Sequence, residues 1–459
     1  MHPTVSASAV LIGAIVIATI QARRRLRKRN FPPGPPPTHW YPWLTFTEWR
    51  AVYGDLVYTK MFGQDMVVVN SEKVADDLME KRSRNYSDRL DMSNMLEPYG
   101  LDYDTALIPH DDTRRGIRHV LQQTLRPEAI LVYKSTQLRC VGDLLRNLSN
   151  TPASWWKHLR TVSAVVILGV VYEHELPTDP DSDLTFRAVV EGCDIGLAVT
   201  STGPTALITA FPTLKYVPMW IPGGRWFNAA NCKGIPDVMI SAPFDKLLRK
   251  IAAGESGQSA VADALTKFQD TTKVDNIERV VRDSCGTAFA ANTGSTLIVF
   301  ALAMVLHPSV QKRAQEEIGP AIYRETLRWK SVAPLAIPHA ATTRNKDIYD
   351  GYRIPNRTVI LPNLWAMSRD STKYPSPDTF APERFLDANG NVTGETPNFA
   401  FGFASGSVWI AIARILGTFS IEKARDASGN VVEPNPEWTK GFSREYPKPF
   451  PCNFVPRWL

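Results

Sequence analysis

Glu325 and Arg328 stand three apart in Tyr323-Arg324-Glu325-Thr326-Leu327-Arg328-Trp329. On a helix that spacing puts a carboxylate and a guanidinium on one face, where they can pair with each other or share a third partner. Taken alone, the pair reads as an ordinary exposed ion pair worth less than about 1 kcal/mol. His339, between Pro338 and Ala340, could serve a carboxylate as an imidazolium, or be satisfied by the backbone of a turn. Five cysteines, Cys140, Cys193, Cys232, Cys285 and Cys452, are odd in number and widely spaced, with no C-x-x-C pair. Neither a disulfide framework nor a zinc site is expected from them.

The chain that must position these groups has 459 residues, 44% hydrophobic and 21% charged, enough apolar material for a large buried core. Its formal charge of +6 is local, because Arg23, Arg24, Arg25, Arg27, Lys28 and Arg29 supply six positive charges in one run. The remaining 46 Lys and Arg balance 46 Asp and Glu, so the body offers no broad electrostatic footprint and no nucleic-acid partner is expected. Ahead of the basic run, Thr4 to Ile20 carries no charge and approaches the minimum of about 17 residues for a membrane span. A cleavable signal places its charges before the apolar stretch; here they follow it, as in an uncleaved anchor. The positive-inside rule then puts the rest of the chain in the cytoplasm, in a single-pass membrane protein. The alternative is an apolar helix docked into the protein's own core. A reducing location fits the unpaired cysteines and leaves Asn-x-Ser/Thr triplets such as that at Asn147 unmodified.

Three segments follow from this: an anchor at 1–22, a basic stop-transfer run and proline-rich hinge at 23–37, and a folded body at 38–459. The hinge, Phe31-Pro32-Pro33-Gly34-Pro35-Pro36-Pro37, can continue neither helix nor sheet. Val67 to Val69 predicts a strand and Glu72 to Lys81 a helix. Val162 to Val171 is a buried helical stretch, and Ile277 to Leu306 is long enough for one helix crossing the whole body, stopped by His307-Pro308. Pro308 starts the next helix, through Ile318. Asp350-Gly351 between Ile348-Tyr349 and Tyr352-Arg353-Ile354 marks a tight hairpin. Thr358 to Leu361 predicts another strand and Val408 to Ile421 a buried helix. The fold class is mainly α with a small β-sheet region behind one N-terminal transmembrane helix.

Downstream of the Glu325 helix come Pro338-His339-Ala340, then Tyr374-Pro375, then Pro382-Glu383-Arg384-Phe385, then Phe399-Ala400-Phe401-Gly402-Phe403, in under a hundred residues. In this order the chain resembles the cytochrome P450 family of haem-thiolate monooxygenases, of the microsomal, fungal-like type. The resemblance implies a P450-like fold, a haem, and a three-way charge cluster of Glu325, Arg328 and Arg384. It assigns Phe401 and Gly402 to the loop that carries the iron's thiolate, and Arg118 and His339 to the haem propionates. Where the family usually presents tryptophan four residues before that arginine, this chain has Arg114. The partners it implies are an NADPH-dependent P450 reductase, a lipophilic small-molecule substrate and a membrane, in the setting of secondary metabolism. The microsomal resemblance adds the endoplasmic reticulum as the membrane expected.

Against that pattern the chain departs in three places. After Phe403 it runs straight into Ala404-Ser405-Gly406-Ser407-Val408-Trp409, so the axial cysteine is absent and no metal ligand is assigned. Thiolate donation is what favours O–O cleavage, so the chain as written is expected to be inactive. Cys285 and Cys452 read better as small buried hydrophobes than as substitute ligands. On the oxygen side, Ala290 to Thr296 has no acid; Thr293 is the candidate proton-relay hydroxyl, with Thr296 close behind. At Ile318-Gly319-Pro320-Ala321 one helix gives way to the next without the family's connecting stretch. The three seams suggest that blocks are lost and the fold incomplete. The competing functions are a non-catalytic relative that binds a lipophilic ligand or partner, and an anchored protein unrelated to haem.

Overall fold

The computed structural model describes residues 32–34, 42–61, 64–90, 92, 96–177, 179–200, 208, 211–221, 228–268, 276–290, 293–316, 319–342, 347–397, 405–439 and 445–457. The expected anchor at 1–22, the basic run, most of the hinge, and Phe401, Gly402 and Phe403 lie outside these residues. Among the described residues, no single helix is long and apolar enough to cross a membrane.

Helices dominate. In chain order the longer ones are α1 (Pro42–Tyr53), α2 (Asp112–Leu125), α3 (Lys134–Asn150), α4 (Trp155–Tyr172), α5 (Leu184–Thr200) and α6 (Ala229–Ala252). They continue with α7 (Ala260–Phe268), α8 (Ile277–Thr287), α9 (Thr293–Leu306), α10 (Pro308–Glu316), α11 (Gly319–Trp329) and α12 (Ser405–Thr418). The core centres on α9, whose residues from Leu297 to Val305 are all buried among α4, α11 and α12.

The small sheet takes the order β1-β2-β6-β3, formed by β1 (Leu56–Met61), β2 (Gln64–Val69), β3 (His339–Ala340) and β6 (Val359–Pro362). β2 lies between an antiparallel and a parallel neighbour, and Val67, Val68 and Val69 are fully buried, which is why it reads as an unbroken apolar run rather than an alternating one. The hinge meets this sheet. Tyr58 N donates to Pro33 O at 3.0 Å, and a Cβ on Gly34 would fall 1.7 Å from Tyr58 O, so only glycine allows the approach. β4 (Asp347–Tyr349) and β5 (Tyr352–Ile354) form the expected hairpin, with Asp350 and Gly351 at φ of 50° and 77°.

Three elements differ from expectation. The stretch from Ile277 to Leu306 is two helices separated by a 3-10 turn at Ala288–Ala290. A Cβ on Gly294 would sit 2.4 Å from Arg160 O and 2.7 Å from Leu159 O, so the start of α9 lies directly on the backbone of α4. There Gly294 N donates to Ser163 Oγ at 2.9 Å, a capping bond from another helix in place of an i−4 carbonyl. The second difference is at Phe419–Lys423, which leaves the helix ending at Thr418 and becomes strand β7, paired with β8 (Cys452–Pro456). In the third, Glu72 to Lys81 starts as helix but widens into a π-turn at Asp77–Lys81. At the His307-Pro308 stop, α9 and α10 meet at 110°.

Candidate functional site

Glu325 and Arg328, on α11, have no exposed side-chain surface. Arg328 grips Glu325 with two parallel bonds, Nε to Oε2 and Nη2 to Oε1, both 2.7 Å. Its other donors are spent on Ser368 O, Pro377 O and Thr379 O at 2.8–3.2 Å. Arg384, from the 3-10 turn Pro382–Phe385, reaches the same carboxylate through Nε at 3.3 Å, and Ala381 N adds a bond to Glu325 Oε1 at 2.8 Å. Each buried charge is thereby paired and hydrogen-bonded, the condition under which such groups survive in a core. Beside this cluster Lys330 Nζ lies 5.1–5.7 Å from the ring centres of Trp329, Trp365 and Trp438. Arg369 stacks on Trp365 and donates to Trp329 O at 2.9 Å, so three distant segments close around one ammonium.

A second cluster is basic, and its positive charges outweigh the carboxylates near it. β3 carries His339, whose Nδ1–H donates to Tyr86 O at 2.9 Å. The bridge Asp88↔Ala340 holds segment 86–89 against it. Arg89 Nη1 donates to Pro338 O at 3.3 Å. Arg114, on α2 and 2% exposed, donates from Nη1 to Ser87 O at 2.8 Å. Arg118, one turn further along α2, is exposed at the edge. Among the described residues the buried Nε–H groups of Arg89 and Arg114 have no hydrogen-bond partner. Burial, and then the Arg114 and Arg118 charges, pull the Arg89 guanidinium down to about 9. Burial and Arg89 hold the His339 imidazole at about 3. Asp88 and Asp104 are near enough to oppose this but are partly engaged by backbone: Asp88 Oδ1 accepts from Arg89 N and His110 N, and Asp104 Oδ1 from Ala106 N. A concentration of buried positive charge with unmade donors is suited to an anion with several acceptor oxygens.

The structure therefore brings His339 and Arg118 to one place and adds Arg89 and Arg114. Arg89 was missed from sequence because nothing in Asp88-Arg89-Leu90 marks it; only the bridge to β3 turns it inward. Thr293 is the first residue of α9, with Ser295 and Thr296 buried just beyond it. On α8, the Thr287 hydroxyl donates to Tyr103 O at 3.1 Å or to Asp283 O at 3.0 Å, and accepts from Thr105 N at 3.2 Å, tying the segment before α2 to α8.

The basic cluster fits the two carboxylates of the haem that the resemblance implies. The iron side does not fit. Burial pushes the Cys140 thiol up to about 11 and the Cys285 thiol up to about 12, and raises Cys452 further, so all three are protonated at neutral pH. Cys193 Sγ approaches Met239 Sδ at 3.9 Å and Phe289 O at 3.7 Å. Among the described residues no group of three or more His, Cys, Asp or Glu could hold a metal ion.

Comparison with known proteins agrees with the motif order. The family model described as Cytochrome P450 matches residues 38–406. Tryptamine 4-monooxygenase of Psilocybe cyanescens is 30% identical, over 98% of this chain and 97% of its own. Cytochrome P450 monooxygenase COX2 of Coprinopsis cinerea is 31% identical, over 86% of this chain and 81% of its own. A zebrafish cytochrome P450 solved with progesterone superposes at a TM-score of 0.72 over 91% of this chain and 100% of its own, at 19% identity, which speaks to the fold alone. The first of these alignments runs over 505 positions yet uses 98% of 459 residues, leaving roughly 55 positions, by subtraction, where the relative has residues and this chain none.

Proposed function

The chain belongs to the cytochrome P450 family, and from that premise we propose that its full form is a membrane-anchored, haem-dependent monooxygenase, while the chain as written lacks the ligand that activity requires. Haem would supply oxygen activation, with electrons delivered by an NADPH-dependent P450 reductase and the oxygen atom placed on a lipophilic small molecule of secondary metabolism. The observation that carries the reading is one contrast. Glu325, Arg328 and Arg384 pair in the buried core and Arg89, Arg114 and His339 converge beside β3, yet the sequence passes from Phe403 to Ala404 with no cysteine before Cys452.

Within that reading the chain's own residues divide the work. Arg89, Arg114, Arg118 and His339 would hold the carboxylate edge of the cofactor, and Phe401 and Gly402 would open the loop on its other face. Thr293, at the start of α9, is the hydroxyl assigned to proton delivery. Glu325, Arg328 and Arg384 brace the segments between β6 and α12, so their part is structural. Membrane association draws support from the charge-free stretch and basic run, and from the exposed Phe211, Tyr216, Met219 and Trp220, the last 83% exposed. The order of anchor and basic run supports a cytoplasmic body, and the resemblance to microsomal members supports the endoplasmic reticulum as its membrane.

Sequencing the full-length transcript across the Phe403–Ala404 junction tests the first half of the proposal. An in-frame segment bearing a cysteine is expected; a continuous transcript without one would sink it. The second half is tested by the reduced carbon monoxide difference spectrum of the 459-residue chain. No thiolate-type band is expected, and its appearance would show that an axial cysteine is present after all.

A further inference from the structure

A cavity of about 500 Å³ lies between the C-terminal half of α3, the N-terminal half of α4 and the 3-10 turn Pro180–Ser182 that leads into α5. That volume falls within the range of about 300–1,000 Å³ of small-molecule sites. None of its lining residues belongs to the two charge clusters described above. Its inner wall is apolar, formed by the buried Leu144, Val162 and Phe186 with the half-buried Val165 and Leu176 beside them. Close-packed interiors leave few voids larger than a water molecule, so an apolar wall facing this much space is suited to a ligand that covers it.

The rim decides the charge of that ligand. Arg146 pairs with Asp143 along α3, and Lys157 of α4 pairs with Asp181 of the turn. Those four charges cancel. Asp179 has no ion-pair partner among the described residues; its Oδ1 accepts from Asp181 N at 3.2 Å. Cys140 and His158 complete the titratable lining. Burial raises the thiol of the first to about 11 and lowers the imidazole of the second, whose Nε2 lies 2.8 Å from Thr151 Oγ1, so both are neutral at neutral pH. Three carboxylates against two cations leave one net negative charge above an apolar wall.

We propose that this cavity is a second small-molecule site, separate from the cofactor site, that takes a lipophilic monocation: an apolar body against Leu144, Val162 and Phe186, and an ammonium toward Asp179. Lys157 and Arg146 oppose the charge of the ligand, and Asp179 attracts it. The site needs neither haem nor an axial ligand, so it stands apart from the family reading.

The test titrates the 459-residue chain in detergent with dansylcadaverine, a primary ammonium on an aromatic body, and with its neutral N-acetyl derivative. Energy transfer from tryptophan to the dansyl group, against the same micelles without protein, reports binding. The wild-type chain should prefer the amine by about threefold, and the preference should shrink at high salt. Asp179→Asn, which keeps the oxygen that accepts from Asp181 N, should cost the amine about threefold and leave the acetyl derivative unchanged. Lys157→Met keeps an apolar stem and removes the charge, and should tighten the amine by about the same factor, a gain that loss of structure would not produce. Val165→Trp, which fills the space, should abolish binding of both. Absence of binding by the wild type, or equal binding of the two probes, overturns the proposal whether or not Val165→Trp folds. So does an amine affinity that ignores both Asp179→Asn and Lys157→Met, because the probe would then sit elsewhere in the protein.

Discussion

At the scale of single residues, the two clusters show opposite ways of burying charge. Glu325 is surrounded by donors that it fully uses. Replacing it with glutamine would leave Arg328 and Arg384 facing each other without a counter-charge, a loss of about 3–5 kcal/mol for a buried pair broken on one side. Urea unfolding of Glu325→Gln against wild type measures it directly. In the basic cluster the sign is reversed, because the cost falls on the cations. His339 is neutral when folded, its pKa lowered from 6.5 to about 3 by burial and then by Arg89. The unfolded chain thus binds more protons below pH 6.5, and stability contributed by neutral His339 is present above that pH and falls steadily as pH drops from 6.5 toward 3. A thermal melt series over pH 7 to 4 should show this decline, and His339→Gln should flatten it. The cluster of Glu325, Arg328 and Arg384 was readable in advance, since its residues sit in motifs of fixed order. Arg89 was not, because its direction depends on a strand bridge some 250 residues away in the chain.

Among the elements, α9 carries the largest consequence. Its apolar sequence predicts a buried helix and no more; the break ahead of it is made by α4, which Gly294 touches backbone to backbone. Gly294→Ala would push the helices apart at a contact of 2.4 Å to Arg160 O, a clash with rigid main chain costing about 1–3 kcal/mol. Removing the cap with Ser163→Ala should cost about 1 kcal/mol, the worth of one partly buried hydrogen bond. Chemical denaturation of the two single variants and the double variant would show whether they act on one contact, in which case their effects fall short of the sum. The same dependence on distant partners explains why Phe419 to Ile421 reads as helix in sequence. Its apolar residues continue the pattern of α12, and only pairing with Cys452–Pro456 converts them to strand. The Asp350-Gly351 hairpin was legible because its signal is local to the two turn residues that take positive φ.

For the whole molecule, the P450 fold extends over 91% of this chain, while the sequence carries no cysteine between Phe403 and Cys452. A cofactor that binds only the folded chain adds stability by mass action, so without it the body should be the weaker for it. Limited proteolysis with and without added haemin is expected to show slower cleavage with haemin, and equal cleavage would mean that the fold does not depend on it. The closure around Lys330 provides a reporter for such experiments. Trp329, Trp365 and Trp438 are three of twelve tryptophans, contributed by segments more than a hundred residues apart at the extremes. Their indoles share one sheltered surface, so a red shift in their emission would mark the moment the segment around Trp438 peels away from α11. Comparing the wild type with Trp438→Phe would isolate that change from the other tryptophans and so report on the assembly of the C-terminal segment.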